Sequence, residues 1–237
     1  MDKMLERKLK EKLKIFQEDY AWLYPEDIQE YIEENFIEHV ERKETACCLA
    51  QVYSELEVDA KSLDIYRKKF KLLADKFDLS CNILEVAAGR LPAFSHMIAK
   101  KQLESGKGTV TVIDPLLIST TPKYRNMHLE RTEFSRKTKL SSYDLIIGLH
   151  PCDITETIIE QACENQKNFF VAMCGCDHSP FSVYDYFYSH YKGPEYYRSM
   201  VIEKAKVLAK EYDNGEIVVD ALGDSGALSY PIIYNRK

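Results

Sequence analysis

The stretch from Asn82 to Pro115 constrains the fold of this chain more than any other part of the sequence. An apolar run opens the stretch, a turn of small residues covers 87–89, and apolar residues then recur at helical spacing over about 92–104. A second apolar run, 109–113, ends at Asp114. This order predicts a strand, a tight turn, a helix and a second strand, with a carboxylate directly after the second strand.

That arrangement suits a ligand that contains a nucleoside. Main-chain N–H groups at the turn and at the start of the helix face such a ligand, and Asp114 can accept hydrogen bonds from ribose hydroxyls. Gly89 is the only glycine of the turn, whereas a dinucleotide fingerprint requires three. Glu85 also places an acid inside the first strand. Both departures favour S-adenosylmethionine (SAM) over NAD.

With these motifs the chain resembles the class I SAM-dependent methyltransferases. More narrowly, it is similar to the methyltransferase domain of the tRNA acceptor-stem 2′-O-methyltransferases and the methyltransferase-like proteins grouped with them. That group has E-x-G-A-G-R-G at the first turn and I-D-R after the second strand. This chain has EVAAGRL from Glu85 and IDP ending at Pro115. Two of the glycines are replaced, so Ala87 and Leu91 would carry strain if their φ angles must be positive.

The resemblance implies an α/β fold, with a Rossmann-like seven-stranded methyltransferase sheet in the order 3-2-1-4-5-7-6. Strand and helix patterns alternate from about Cys81 onward and end in a hairpin pattern over 216–234. Residues 1–78 instead have helical patterns. The last of these helices, over about 60–77, has on one face Leu63, Tyr66, Phe70 and Leu73. We therefore predict an N-terminal helical cap at 1–78 and a Rossmann-like SAM-binding domain at 79–237.

Ligands of an open parallel sheet lie beyond the carboxyl ends of its strands, where the strand order reverses. The resemblance places SAM there, against the first turn and the segments that follow the second, third and fourth strands. The predicted cofactor-binding residues are Glu85, Ala87, Ala88, Gly89, Arg90, Asp114, Pro115, Glu133 and Leu149.

The methyl acceptor is predicted to lie between the ends of the fourth and fifth strands. A methyl acceptor must often lose a proton, and imidazole or carboxylate groups can take it. The predicted catalytic residues are therefore His150, Asp153 and His178. The alternative for the first two is structural, because His150 could bond to the main chain and Asp153 could cap the helix that follows.

Thiols accompany these residues at both strand ends. Cys174, Cys176 and His178 alternate, as do His150 and Cys152, so extended strands would place each set on one face. Zinc is one reading of such a cluster. The spacing C-x-C-x-H matches no common structural zinc pattern, so we predict a polar cluster that faces the substrate and no metal.

The acceptor itself is left open between RNA and a small molecule. An aromatic-dense stretch over 181–197 could enclose a planar acceptor or pack against helices. The formal net charge of −6 is unlike a general nucleic-acid binder, although the basic residues over 123–139 could contact phosphates. The alternative function is a non-catalytic methyltransferase-fold module, because the glycine pattern of the cofactor turn is degenerate.

The sequence also predicts where the protein works. No apolar run is long enough for a membrane span, and the first residues lack the apolar core of a signal peptide. The seven cysteines are an odd number, which suits reduced thiols. We predict a cytoplasmic protein without a membrane partner, and its oligomeric state is left open.

Overall fold

The computed structural model describes residues 60–89, 92–117, 120, 122, 124–174, 193–223 and 230–237. Its helices are α1 (Ala60–Lys76), α2 (Ala93–Ser105), α3 (Thr155–Glu164) and α4 (Gly193–Glu211). Its strands are β1 (Asn82–Val86), β2 (Thr109–Ile113), β3 (Met127–Glu130), β4 (Leu145–Leu149), β5 (Asn168–Ala172), β6 (Glu216–Asp220) and β7 (Ile232–Arg236). Most of the predicted helical cap, residues 1–59, lies outside the described residues, so that boundary stays a prediction.

The strands form one sheet in the order β3-β2-β1-β4-β5-β7-β6. The first five strands along the chain pair in parallel, and β7 runs antiparallel to both β5 and β6. This is the Rossmann-like methyltransferase sheet that was predicted, so the fold class is confirmed. None of the helices in the described residues combines the length and hydrophobicity that a bilayer crossing requires.

The central strands are buried on both faces, as parallel strands between helices must be. All five residues of β4 are buried. Alternate residues of β1 enter different cores: Ile83 packs with Leu73 of α1 and Phe94 of α2, whereas Leu84 packs with Ile158 of α3. Each fully buried aliphatic side chain contributes about 1.5–3 kcal/mol, so the two cores hold the strand ends in fixed positions.

Helix α1 lies on the same face of the sheet as α2. The rings of Tyr66 and Phe70 contact Phe94 edge-on, with centroids 6.4 and 6.2 Å apart, and Leu73 is fully buried. The part of the predicted apolar face from Tyr66 to Leu73 is thus packed against the core. The same face also carries Lys69, of which only 2% is exposed.

Candidate functional site

The candidate site lies at the carboxyl ends of β1 and β4, where the strand order reverses. The two strands are hydrogen-bonded neighbours, with Val86 opposite Gly148. Three non-glycine residues have positive φ angles here: Ala87 at 59°, His150 at 54° and Cys152 at 44°. Left-handed backbone in such residues is strained and tends to cluster at functional sites, so this edge of the sheet is the strongest site candidate in the described residues.

The turn after β1 is tied to the end of β2 by Asp114. Its Oδ2 accepts the main-chain N–H of Gly89 at 2.8 Å, and its Oδ1 accepts that of Leu116 at 2.6 Å. The N–H of Ala87 also donates to the carbonyl of Ile113 at 3.1 Å. Asp114 is 4% exposed. The carboxylate that was predicted from the sequence to bind ribose therefore also holds the turn after β1 in place through its hydrogen bond with Gly89.

Ala87 carries the strain that its sequence position predicted. A left-handed conformation costs a residue with a Cβ about 1–2 kcal/mol, while glycine loses about 0.4–1 kcal/mol through the entropy of the unfolded chain. Ala87→Gly should therefore raise the free energy of unfolding by about 0.5–1 kcal/mol. Chemical denaturation of the two proteins measures the difference.

Ala88 supplies the matched control for that substitution, because its φ is not positive. Ala88→Gly has no strain to relieve and should lower stability by about 0.5–1 kcal/mol. Equal effects of the two substitutions would show that Ala87 is not strained in solution. The corresponding expectation for Leu91 lies outside the described residues.

Glu85 is buried below the turn, in the middle of the sheet. Its Oε2 accepts a hydrogen bond from the hydroxyl of Ser95 in α2, and 2% of the residue is exposed. Burial raises the pKa of Glu85 to about 7, although the bond from Ser95 opposes the shift. Burial, and then the charge of Glu85, raise the pKa of Tyr66. A carboxyl group with a pKa of about 7 therefore lies directly below the turn after β1.

Lys69 reaches the end of β4 from helix α1. Its Nζ is hydrogen-bonded to Nε2 of His150. Burial lowers the pKa of Lys69 to about 8. Burial and the charge of Lys69 lower the pKa of His150 to about 4. At neutral pH the imidazole is therefore neutral and Lys69 is mostly an ammonium, although its free amine is the more basic of the two groups.

Two thiols complete this cluster. Sγ of Cys152 lies 3.6 Å from Sγ of Cys174, beyond the end of β5. The prediction that His150 and Cys152 share a strand face is wrong, because β4 ends at Leu149 and both residues adopt left-handed turn conformations. Across the described residues, no group of three or more His, Cys, Asp or Glu side chains is arranged to hold a metal ion. Cys176 and His178 lie outside those residues.

The other predicted residues surround this edge at different depths. Leu149 is buried in the core, and Ala88 packs partly against it. Pro115 and Glu133 are exposed, as is Asp153, which lies in the 3₁₀ turn Cys152–Ile154. No side chain caps that turn or α3, so Asp153 has no capping role. Arg90 lies outside the described residues.

Lys69 is the site residue that the sequence analysis missed. A signal for it was present, since it falls between Tyr66 and Leu73 on the helical face that packs against the sheet. A lysine inside an apolar stripe is seldom buried without a partner. The partner itself could not be read from the sequence, because His150 is 81 residues away.

No protein-family model matches the chain, and no curated protein matches it. Several solved structures do match the chain. The chain is similar to WbdD, a bifunctional kinase-methyltransferase, at 14% identity and a TM-score of 0.44, over 74% of this chain and 39% of that one. It is also similar to the plantazolicin methyltransferase BpumL, solved with S-adenosylhomocysteine (SAH), at 14% identity and a TM-score of 0.44, over 71% and 80% of the two chains. A third is coclaurine N-methyltransferase, solved with N-methylheliamine and SAH, at 14% identity and a TM-score of 0.36, over 49% of this chain and 36% of that one.

Proposed function

We propose that this protein is a SAM-dependent methyltransferase. The observation that carries the proposal is the turn after β1, in which Ala87 and Gly89 are left-handed and Asp114 joins the turn to β2. In a Rossmann-like sheet this edge is where a nucleoside-containing ligand binds. The cofactor would lie across the ends of β1 and β2, and the acceptor beside the ends of β4 and β5.

The described residues fit such a cofactor. Chain neighbours apart, no heavy atom of the described residues lies within 4 Å of the position that a Cβ on Gly89 would take, so this side of the turn leaves room for a ligand that approaches its main chain. The Asp114 carboxylate retains lone pairs for ribose hydroxyls, because its oxygens can accept about four hydrogen bonds in total. Leu116 is 65% exposed beside it and offers an apolar surface for an adenine ring.

When bound, SAM supplies a methyl group that is already activated for transfer. The chain then has to orient the acceptor and remove its proton. We assign proton removal to the group of His150, Asp153 and His178 predicted from the sequence, and add Lys69. Because His150 has a pKa of about 4 and Lys69 of about 8, the free amine of Lys69 is the more basic group, and it becomes available to take a proton as the pH approaches 8. His150 holds it in place by a hydrogen bond.

The two acceptor classes that the sequence leaves open are RNA and a small molecule. The resemblance to the tRNA acceptor-stem 2′-O-methyltransferases makes an RNA hydroxyl the first of them to test. One residue of the basic run is already paired, since Arg136 forms an ion pair with Glu160 of α3. Titration with a tRNA acceptor-stem duplex at two salt concentrations would test the RNA assignment, because phosphate contacts weaken steeply with salt.

Isothermal titration calorimetry with SAM and SAH tests the cofactor site. Asp114→Ala removes the carboxylate that would bind ribose, and should weaken binding by about 1–3 kcal/mol, or roughly 5- to 150-fold. Asp144→Ala is the matched control. Its Oδ2 also accepts a main-chain N–H, that of Asn82 at 3.0 Å, but at the opposite edge of the sheet. This control should leave both affinities unchanged.

Two outcomes would count against this assignment. Equal affinities in Asp114→Ala and the wild type would remove Asp114 from the site. A wild type that binds neither SAM nor SAH would favour the non-catalytic methyltransferase-fold module. Thermal-shift measurements with the same ligands give an independent result, since a ligand that binds only the folded state raises its stability.

A further inference from the structure

Two cysteine side chains meet beyond the ends of β4 and β5. Cys152 begins the 3₁₀ turn that follows β4, Cys174 lies beyond the end of β5, and their sulfur atoms are 3.6 Å apart. The strands are in register up to Leu149 and Ala172, and the N–H of His150 donates to the carbonyl of Ala172 at 2.8 Å. The main chain therefore holds the two thiols side by side. A disulfide would require the sulfur atoms to approach by only about 1.5 Å.

We propose that Cys152 and Cys174 form a reversible disulfide when the protein meets a two-electron oxidant of the peroxide class. The first thiolate attacks the peroxide oxygen, the O–O bond breaks, and a sulfenic acid and one water form. The second thiol then attacks the sulfenic sulfur, and a second water leaves. Two thiols are oxidised and one hydrogen peroxide is reduced to two waters, so atoms and electrons balance.

Two positively charged side chains, Lys69 and Arg198, lie near Cys174. Burial is the larger influence on Lys69 and lowers its pKa to about 8, and an electrostatic interaction with Cys174 partly opposes that shift. The guanidinium of Arg198 donates to the Cys174 carbonyl at 3.4 Å and adds a second positive charge nearby. Reactive thiols are found in such electropositive, partly exposed positions, and both Cys152 and Cys174 are partly exposed.

The other two thiols of the described residues have different surroundings. Burial raises the pKa of Cys81 to about 11 and also raises the pKa of Cys163. Thiols of this kind react slowly with peroxide, because the thiolate is the nucleophile. The two therefore serve as internal references for the reaction at the strand ends.

The consequence for activity rests on the proposed function. A bridge would fix the segment after β4 to the end of β5, beside the Lys69–His150 contact. Oxidation would therefore act on the acceptor side of the site, and the turn that binds the cofactor would stay as it is. The formation of the bridge itself depends on no ligand.

The test treats the full reduced chain with hydrogen peroxide and follows its intact mass. We expect a loss of about 2 Da for the two hydrogens removed, restored by dithiothreitol, before any oxidation at Cys81 or Cys163. Cys152→Ser and Cys174→Ser should each abolish that loss and leave a sulfenic acid that dimedone traps on the remaining thiol. Cys81→Ser should leave the loss unchanged.

Two further variants assign the bridge. The tryptic peptides 140–167 and 168–192 each hold a second cysteine, Cys163 and Cys176. A bridge that persists in both Cys163→Ser and Cys176→Ser supports the proposed pair. A bridge lost in either variant, or a wild type that gains oxygen without losing 2 Da, overturns it. SAM affinity of the reduced protein is measured separately, so a failure of the proposed function does not alter this result.

Discussion

Lys69→Met should raise the free energy of unfolding at pH 7 by about 2–3 kcal/mol. Burial lowers the pKa of Lys69 from its ordinary 10.5 to about 8, and a shift of that size corresponds to about 3 kcal/mol of unfavourable free energy for the charged form. Methionine has a similar length and no charge to desolvate. The substitution also removes the hydrogen bond to His150, which offsets about 1 kcal/mol of the gain.

The pH dependence separates this cause from better packing. The folded pKa of Lys69 lies below the unfolded one, so the unfolded chain binds more protons between about pH 8 and 10.5. The wild type should therefore gain stability as pH rises through that window. The gain in the free energy of unfolding from Lys69→Met should be largest below pH 8 and should disappear above pH 10.5. Urea denaturation at pH 7, 9 and 10 would measure it.

Lys71→Met is the control, because Lys71 is exposed on the same helix. This variant should stay within about 0.5 kcal/mol of the wild type at every pH. A Lys69→Met variant that is less stable than the wild type at pH 7 would mean that the lysine stabilises the fold. A pH-independent gain would mean that packing, not desolvation, is responsible.

Much of the architecture follows from the sequence because it depends on local patterns. The apolar runs and the helix spacing locate β1, α2 and β2 to within a residue or two. The pairing order came from a resemblance and is confirmed by the sheet. The sequence also indicated that Ala87 would be strained if its φ angle had to be positive. Its φ angle is positive, because the turn keeps the left-handed conformation although alanine stands at this position.

The side-chain partners could not be predicted in the same way. Contacts such as Lys69 with His150, or Cys152 with Cys174, join distant segments whose separation depends on strand register and helix placement. Asp114 shows the same limit. Its position after β2 suggested a ligand contact, whereas its bonds to the main chain depend on how closely two strand ends approach.

Lys69 and Glu85 are two buried ionisable groups whose charged forms have opposite signs. Lys69 and Glu85 both lose hydration in the core, and each is driven toward its neutral form. Unpaired buried charge is unfavourable for folding. Both groups lie at the edge where the strand order reverses, and perturbed pKa values cluster at functional sites. Stability given up at these two positions is therefore consistent with a site selected for chemistry.

Glu85→Gln should remove a loss of stability that the wild type suffers between about pH 4.5 and 7. The folded pKa of Glu85 lies near 7, above its ordinary 4.5. The folded protein therefore binds the extra proton in this window, and its stability falls with rising pH by about 3 kcal/mol in total. Glutamine cannot titrate, so the variant should gain on the wild type through the window and exceed it at pH 8.

Ser95→Ala provides the companion measurement, because the Ser95 hydroxyl donates to Glu85 and favours its charged form. Without that donor the folded pKa should rise further, and the pH range over which stability is lost should extend to higher pH. Thermal unfolding of the three proteins from pH 4 to 8 compares them directly. If the wild type and Glu85→Gln show parallel pH profiles, Glu85 is ionised in the folded protein and has a partner for its charge. The other outcome is that the stabilities of the wild type and Glu85→Gln converge below pH 4.5, where the Glu85 carboxyl is protonated in both the folded and the unfolded wild type. That result would show that the buried Glu85 is neutral at the pH where the wild type is most stable.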